Sequence, residues 1–175
     1  MGNKIVFGDV YRNKKVLVTG NTGFKGSWLC TWLLSLGADV YGISNEIPTT
    51  PSMFTELGLA AKMKHFFADV RDLEAIRKII NEVEPHFVFH LAAQPIVSLS
   101  YSEPIDTISS NVMGTANVLE VLRNYTRPCT AIIITSDKCY LNKNKKSGYK
   151  EIDELGGYDP YSASKASTEH VFFSE

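Results

Sequence analysis

The spacing of apolar and polar positions changes along the chain, and each change marks an element. Lys14-Lys15-Val16-Leu17-Val18-Thr19-Gly20 is a short β-branched run ending in glycine, the pattern of a strand buried on both faces. From Phe24 to Leu36 the period lengthens: Trp28, Leu29, Trp32, Leu33 and Leu36 recur at helical spacing and Gly37 follows where a helix caps. A helix is predicted there, with Trp28 and Trp32 in the core. Ala38 to Ser44 reads as a second strand, after which Pro48 and Pro51 mark an irregular stretch. The alternation repeats with a strand over His65 to Asp69, a helix over Leu73 to Val83 and a strand over His86 to Leu91. Pro104 opens a further helix with apolar positions at Ile108, Val112, Ala116, Leu119 and Leu122, and Ala131 to Thr135 is the last strand. Strands alternating with helices favour a parallel sheet with both faces covered, because right-handed crossovers put the helices there. The predicted architecture is a doubly wound α/β domain occupying the whole chain.

Composition narrows the partners. The chain has 175 residues, 44% of them hydrophobic, so it can bury a core. Its 18 Lys and Arg against 19 Asp and Glu give a net charge of −1, which argues against nucleic acid and anionic membrane as partners. No run approaches the roughly 18 apolar residues of a membrane span. Lys4, Asp9 and Arg12 interrupt any signal-peptide core, and Val6 stands where the myristoylation motif opened by Met1-Gly2 needs Ser or Thr. Cys30, Cys129 and Cys139 are too scattered for a disulfide framework, so a reducing cytoplasm is expected. The lysines at 143, 145, 146 and 150 lie in a polar stretch and read as a solvated loop.

Directly after the first strand stand Gly20, Gly23 and Gly26. Glycine lets the backbone turn sharply and approach a ligand, and a helix start offers unpaired N–H groups and a positive dipole end to phosphate. The spacing is GxxGxxG; the context fits dinucleotide binding, and packing between strand and helix accounts for the same glycines. About 20 positions on, where an acidic residue would meet the adenosine ribose, the chain has Ser44 and Asn45, with Glu46 one step late. No Arg or Lys stands near to neutralise a ribose 2′-phosphate, so NAD is favoured over NADP.

Tyr161 and Lys165, four apart after Asp159-Pro160, share one face of a predicted helix. A lysine ammonium beside a phenol favours the phenolate, a useful base. Tyr11 and Lys15 have the same spacing but precede the first strand and are read as structural. Ligands bind outside the carboxyl ends of the strands in open α/β sheets, and the last strand runs into Ser136-Asp137-Lys138. Ser136 can hydrogen-bond a substrate hydroxyl, Asp137 can act as an acid when protonated, and Lys138 can act as a base when neutral; a polar loop with an internal ion pair is the plainer reading. His86 and His90 lack the companions of a metal site, and Cys139 lacks a histidine to activate it, so it is read as packing.

In order, Thr19-Gly20-x-x-Gly23-Phe24-x-Gly26, Asp69-Val70, Leu91-Ala92-Ala93-Gln94, Asn111 and Tyr161-x-x-x-Lys165 resemble the extended short-chain dehydrogenase/reductases. NTGFKGSW from Asn21, HLAAQP from His90, SLSY from Ser98, TSDKCY from Thr135 and LGGYDPYSASK from Leu155 closely resemble the CDP-glucose 4,6-dehydratase family within them. The resemblance implies a Rossmann-like NAD(P)-binding domain and a reaction without net redox change. Tyr161 would take the C4 hydroxyl proton while NAD accepts the hydride, and Lys165 would hold the ribose. Water would leave across C5 and C6 with Asp137 as acid, and Ser136 would polarise C4. Lys138 stands where related dehydratases carry a glutamate base, so the C5 base is this lysine or another group. Gly20, Thr22, Gly23, Phe24, Lys25, Asp69, Val70, Ala92, Ala93 and Asn111 carry over as cofactor-side residues; Ser44 and Asn45 rest on position alone. The resemblance further implies a nucleotide-sugar substrate, a place in bacterial surface-polysaccharide (O-antigen) synthesis, and a homodimer through the helices beginning near Pro104 and Pro160. Family members continue into further strands and a substrate-binding lobe, so this chain is expected to be the cofactor half, with poor turnover alone. An epimerase or dehydrogenase of the same superfamily, or a noncatalytic NAD-binding module, are the alternatives.

Overall fold

A computed structural model describes residues 7–174, so Met1, Gly2, Lys4 and Val6, on which the reading of the N-terminus rests, lie outside the described residues. The strands are β1 (Lys15–Thr19), β2 (Asp39–Ser44), β3 (Lys64–Phe67), β4 (Phe87–His90) and β5 (Thr130–Ile133). All neighbours pair in parallel in the order β3-β2-β1-β4-β5. The chain moves outward from β1 to β3, then returns to β4 on the other side, which is the doubly wound arrangement expected. A switch point therefore lies between the carboxyl ends of β1 and β4.

Central β1 shows why its sequence carries no alternation: Val16, Leu17 and Val18 are all fully buried. Leu17, with Ile43 and Val88, packs under α3 (Leu73–Val83) and α6 (Gly114–Arg123) through Ile76, Ile80 and Val118. Val16 and Val18 face the other way, onto Cys30 and Leu33 of α1 (Phe24–Ser35) and onto Phe54 and Leu59. Phe54 belongs to α2 (Met53–Glu56), a single turn within the irregular stretch, capped where Ser52 Oγ accepts from the Thr55 N–H at 3.1 Å.

The two tryptophans correct the sequence expectation. Helix α1 turns Gly26, Ser27, Cys30 and Leu33 to the sheet, leaving Trp28 and Trp32 55% and 51% exposed. The helix is apolar on both sides, so its period could not say which side faces inward. Phe7 packs edge-on against Trp32, the ring centroids 5.4 Å apart. Trp28→Gln is accordingly expected to change stability by less than about 1 kcal/mol, read from urea denaturation, whereas a core tryptophan would cost about 3 kcal/mol or more.

The helix expected from Pro104 is broken into α5 (Pro104–Ile108), a π-helical turn (Ser109–Met113) and α6, and a short α4 (Val97–Ser102) precedes it. Helix α7 (Pro160–Ser174) closes the chain. Tyr11 packs on Phe87, ring centroids 5.1 Å apart, at the amino ends of the strands, so the Tyr11/Lys15 pair is structural as read. Lys143 and Lys145 pair with Glu154 and Asp153 in the exposed loop before α7.

Candidate active site at the carboxyl ends of the strands

The loops leaving β1, β4 and β5 converge at the switch point. Gly20 turns the first of them at φ +71°, and a Cβ there would lie 2.8 Å from the Ala92 nitrogen, so the first loop touches the β4 loop directly. Gly23 is the α1 N-cap in extended conformation with no side chain over the first turn. The first helical bond runs from the Ser27 N–H to Gly23 O at 2.8 Å, which leaves the N–H groups of Phe24, Lys25 and Gly26 ahead of it. Phe24 and Lys25 stand exposed beside them.

Asn21, which the sequence reading passed over, holds this loop from beneath. It is fully buried; Ser44 Oγ donates to its Oδ1 at 2.9 Å, its Nδ2 donates to His65 Nδ1 at 3.1 Å, and its carbonyl accepts from Ser27 Oγ at 3.0 Å. The signal that could have found it is Gly42 in β2, where a Cβ would come within 2.4 Å of the Asn21 amide. Thr22 is tied down too, its hydroxyl donating to Glu46 O at 2.6 Å and its N–H to Ser44 Oγ at 3.3 Å. Ser44 is thus buried and engaged within the loop, while Asn45 at the exposed rim donates to Asp69 Oδ2 at 3.5 Å. The Arg71 guanidinium holds the Asp69 carboxyl below the usual carboxylate range. Val70 is buried, and Gly114 admits it: a Cβ on Gly114 would lie 2.6 Å from Val70 Cγ2.

A buried polar chain joins the strand ends to α7. Thr115 Oγ1 donates to Asn111 O at 2.7 Å, so His90 Nε2–H donates to Thr115 at 3.0 Å and Nδ1 accepts from Thr19 Oγ1 at 2.8 Å. Thr19 Oγ1 in turn accepts from the N–H groups of Leu91 and Ala92, each at 3.1 Å, which fixes the Ala92-Ala93 segment. Burial, reinforced by Lys165, depresses His90 to about 3, so the ring is neutral. Asn111, in the π-helical turn, accepts from the Gln94 N–H at 2.8 Å and donates to Ser164 Oγ at 2.8 Å. It bolts the β4 loop to α7, and the extra residue of the π-helical turn sits at this functional face.

On α7, Tyr161 and Lys165 are 9% and 6% exposed, with Lys165 Nζ 6.0 Å from the Tyr161 ring centroid. Burial lowers Lys165 to about 8, with nearby Lys25 pushing the same way and Glu169 opposing. Two lysines therefore share the space between the α1 N-terminus and α7. Asp159 caps α7, accepting from the Ser162 N–H at 2.8 Å and from Ser162 Oγ at 2.6 Å.

The turn after β5 packs against α7. Ser136 Oγ accepts from the Lys138 N–H and donates to Asp137 Oδ1, both at 3.2 Å. Asp137 and Lys138 line a cleft of about 210 Å³ with Tyr140, Asn142, Tyr149 and Tyr158. Cys139 beneath is 2% exposed and its thiol is pushed up by burial to about 11, so it packs rather than reacts. Among the described residues no group of three or more His, Cys, Asp or Glu could hold a metal.

The family sequence model described as GDP-mannose 4,6 dehydratase matches residues 17–174. The chain belongs to the GDP-mannose 4,6-dehydratase family. Among its relatives, CDP-glucose 4,6-dehydratase of Salmonella typhimurium is 48% identical over 92% of this chain and 45% of that protein. A probable dTDP-glucose 4,6-dehydratase of Sinorhizobium fredii is 29% identical over 89% of this chain and 47% of that protein. Solved structures agree on the fold: the Thermus thermophilus UDP-glucose 4-epimerase complex with NAD superposes with TM-score 0.78 at 28% identity, covering 91% of this chain and 50% of that one. Pal from Bacillus thuringiensis gives TM-score 0.81 at 26% identity, with 91% and 51% covered. The chain spans about half the length of the family members and neighbours it matches. Its fold is the Rossmann fold.

Proposed function

We propose that this chain carries the cofactor-binding and proton-transfer residues of a nucleotide-sugar 4,6-dehydratase whose substrate is CDP-glucose, converted to CDP-4-keto-6-deoxyglucose. The observation that carries the reading is the meeting of two groups: the buried Tyr161/Lys165 pair on α7 and the Ser136-Asp137-Lys138 turn packed against that helix. The likeness to the Salmonella CDP-glucose enzyme supports the choice of sugar nucleotide.

The residues present fit NAD. The uncapped α1 N-terminus, bare Gly23 and exposed Lys25 would hold the diphosphate, Asn45 and Asp69 the adenosine side, and Lys165 the nicotinamide ribose. A nicotinamide bound there supplies a hydride acceptor for C4 that can later act as donor to C6. Tyr161 removes the C4 hydroxyl proton, with Lys165 beside its ring on α7, and Ser136 hydrogen-bonds the C4 oxygen. Asp137 is the acid toward the departing C6 hydroxyl, and Lys138 or another group takes the C5 proton made acidic by the new ketone. The exposed apolar side chains Ile105 and Ile108 of α5 and Phe172 and Phe173 of α7 support a homodimer through those helices.

A second reading, nucleotide-sugar epimerase, is favoured by the likeness to UDP-glucose 4-epimerase. Mass spectrometry of the chain incubated with NAD+ and CDP-, dTDP-, GDP- and UDP-linked sugars separates them. Loss of one water from CDP-glucose is the expected result. A product of unchanged mass but altered retention would favour the epimerase, and no change in any sugar would overturn both for this chain.

A further inference from the structure

Tyr161 is the second residue of α7, in the first helical turn, where backbone N–H groups have no intrahelical acceptor and helices fray. Lys165 lies one turn further in. The spacing between the two side chains therefore depends on whether the first turn is held. Asp159 holds one of its donors, the N–H of Ser162.

The N–H of Tyr161 itself is held from another element. It donates to Ser100 Oγ of α4 at 3.2 Å, and Ser100 Oγ donates onward to Val97 O at 2.7 Å. Ser100 is fully buried, so water does not replace it at this donor. On its other side the Tyr161 carbonyl accepts from Ser164 Oγ at 2.7 Å, and Ser164 is itself held by Asn111. The backbone of Tyr161 is thus gripped at both ends, and its amide end depends on one hydroxyl 61 residues away in sequence.

We propose that Ser100 is a positioning residue: it caps α7 from α4 and fixes the Tyr161 ring at the mouth of the cofactor site. The inference rests on the reading of Tyr161 as the proton acceptor. It assigns a purpose to the short α4 and to the SLSY segment, since Leu99 and Tyr101 on either side point out to solvent while Ser100 alone of that stretch points in. An alanine here leaves a buried N–H without acceptor, and the first turn of α7 can then relieve it only by opening.

The test uses the whole chain labelled with [13Cζ]tyrosine and free of cofactor, with the Tyr161 resonance assigned by its loss in Tyr161→Phe. Ser100→Ala is expected to broaden or split that resonance and to weaken NAD+ binding roughly tenfold, the scale of one buried hydrogen bond. Ser100→Thr, which keeps the hydroxyl, is expected to restore the single line. Ile79→Val, a truncation in the core cluster beneath α3 and α6, serves as the control for lost stability alone and leaves the resonance unchanged. Should Ser100→Ala fail to fold, Ser100→Cys keeps the volume with a weaker acceptor and is expected to broaden the line in the same way. A single unshifted Tyr161 line in Ser100→Ala, or equal broadening in Ile79→Val, overturns the positioning role. In a protein that turns over sugar, Ser100→Ala lowers kcat and leaves the sugar KM unchanged. The spectroscopic arm needs no turnover, so a chain that dehydrates nothing yet shows the Ser100 effect removes the dehydratase reading and keeps this one.

Discussion

Gly26→Ala is expected to cost about 3 kcal/mol of stability or more and to abolish NAD+ binding, measured by urea denaturation and calorimetric titration. A Cβ at Gly26 would lie 2.1 Å from Gly20 O and 2.8 Å from Asn21 Cα, and both are backbone atoms that no rotamer change can move. Relief requires lifting α1 off the loop that leaves β1. The lift would break the Ser27 Oγ bond to Asn21 O and would carry away the three free N–H groups of the first helical turn. Gly23→Ala makes the contrast: its φ is −68°, and its Cβ would meet only Gly20 O at an ordinary 3.4 Å. That variant is expected to fold with nearly unchanged stability, and any loss of NAD+ affinity in it reports on the open side of the loop. A Gly26→Ala chain as stable as the parent would mean that the close packing of α1 on the loop is not required.

The glycine pattern was legible in the sequence because its cause is local: a tight turn and a close approach within seven residues. The same holds for β1, whose burial on both faces is written as an unbroken apolar run. Tyr161 and Lys165 were legible because a helix converts a spacing of four into one face. What escaped notice depends on partners far apart in sequence. Asn21 meets His65 and Ser44 across 44 and 23 residues, and Asn111 meets Ser164 across 53, so no window on the sequence displays these contacts. Ser44 was placed correctly at the end of β2, yet its hydroxyl holds the loop, and only the rim residue Asn45 is exposed to solvent. Trp28 and Trp32 misled for the opposite reason, since a helix apolar all round gives a period without a direction.

The chain should lose roughly 3 kcal/mol of stability between pH 7 and pH 4 through His90 alone, and His90→Gln should remove that loss. His90 is 2% exposed, and its pKa falls from an ordinary 6.5 to about 3 because burial, aided by the Lys165 charge, penalises the imidazolium. One of its two hydrogen bonds also opposes protonation: Nδ1 must accept from Thr19 Oγ1, so a proton there would set donor against donor. Above pH 6.5 neither the folded nor the unfolded chain protonates this residue, and it contributes no pH dependence. Between 6.5 and about 3 the unfolded chain takes up a proton that the folded chain refuses, so stability falls by about 1.4 kcal/mol for each pH unit. His65, lowered by its own burial beneath the glycine loop, acts in the same direction. Asp69, held low by Arg71, adds its loss further down, as the pH enters the carboxylate range. Urea unfolding at pH 7, 5.5 and 4 reads the effect as a slope. His90→Gln lowers stability at pH 7 by loosening the Thr19 and Thr115 contacts, but its slope should be shallower by close to one proton. Parallel slopes in the two chains would show that His90 is free to protonate in the folded state, and the neutral bridge from β1 to the α7 network would then be wrong.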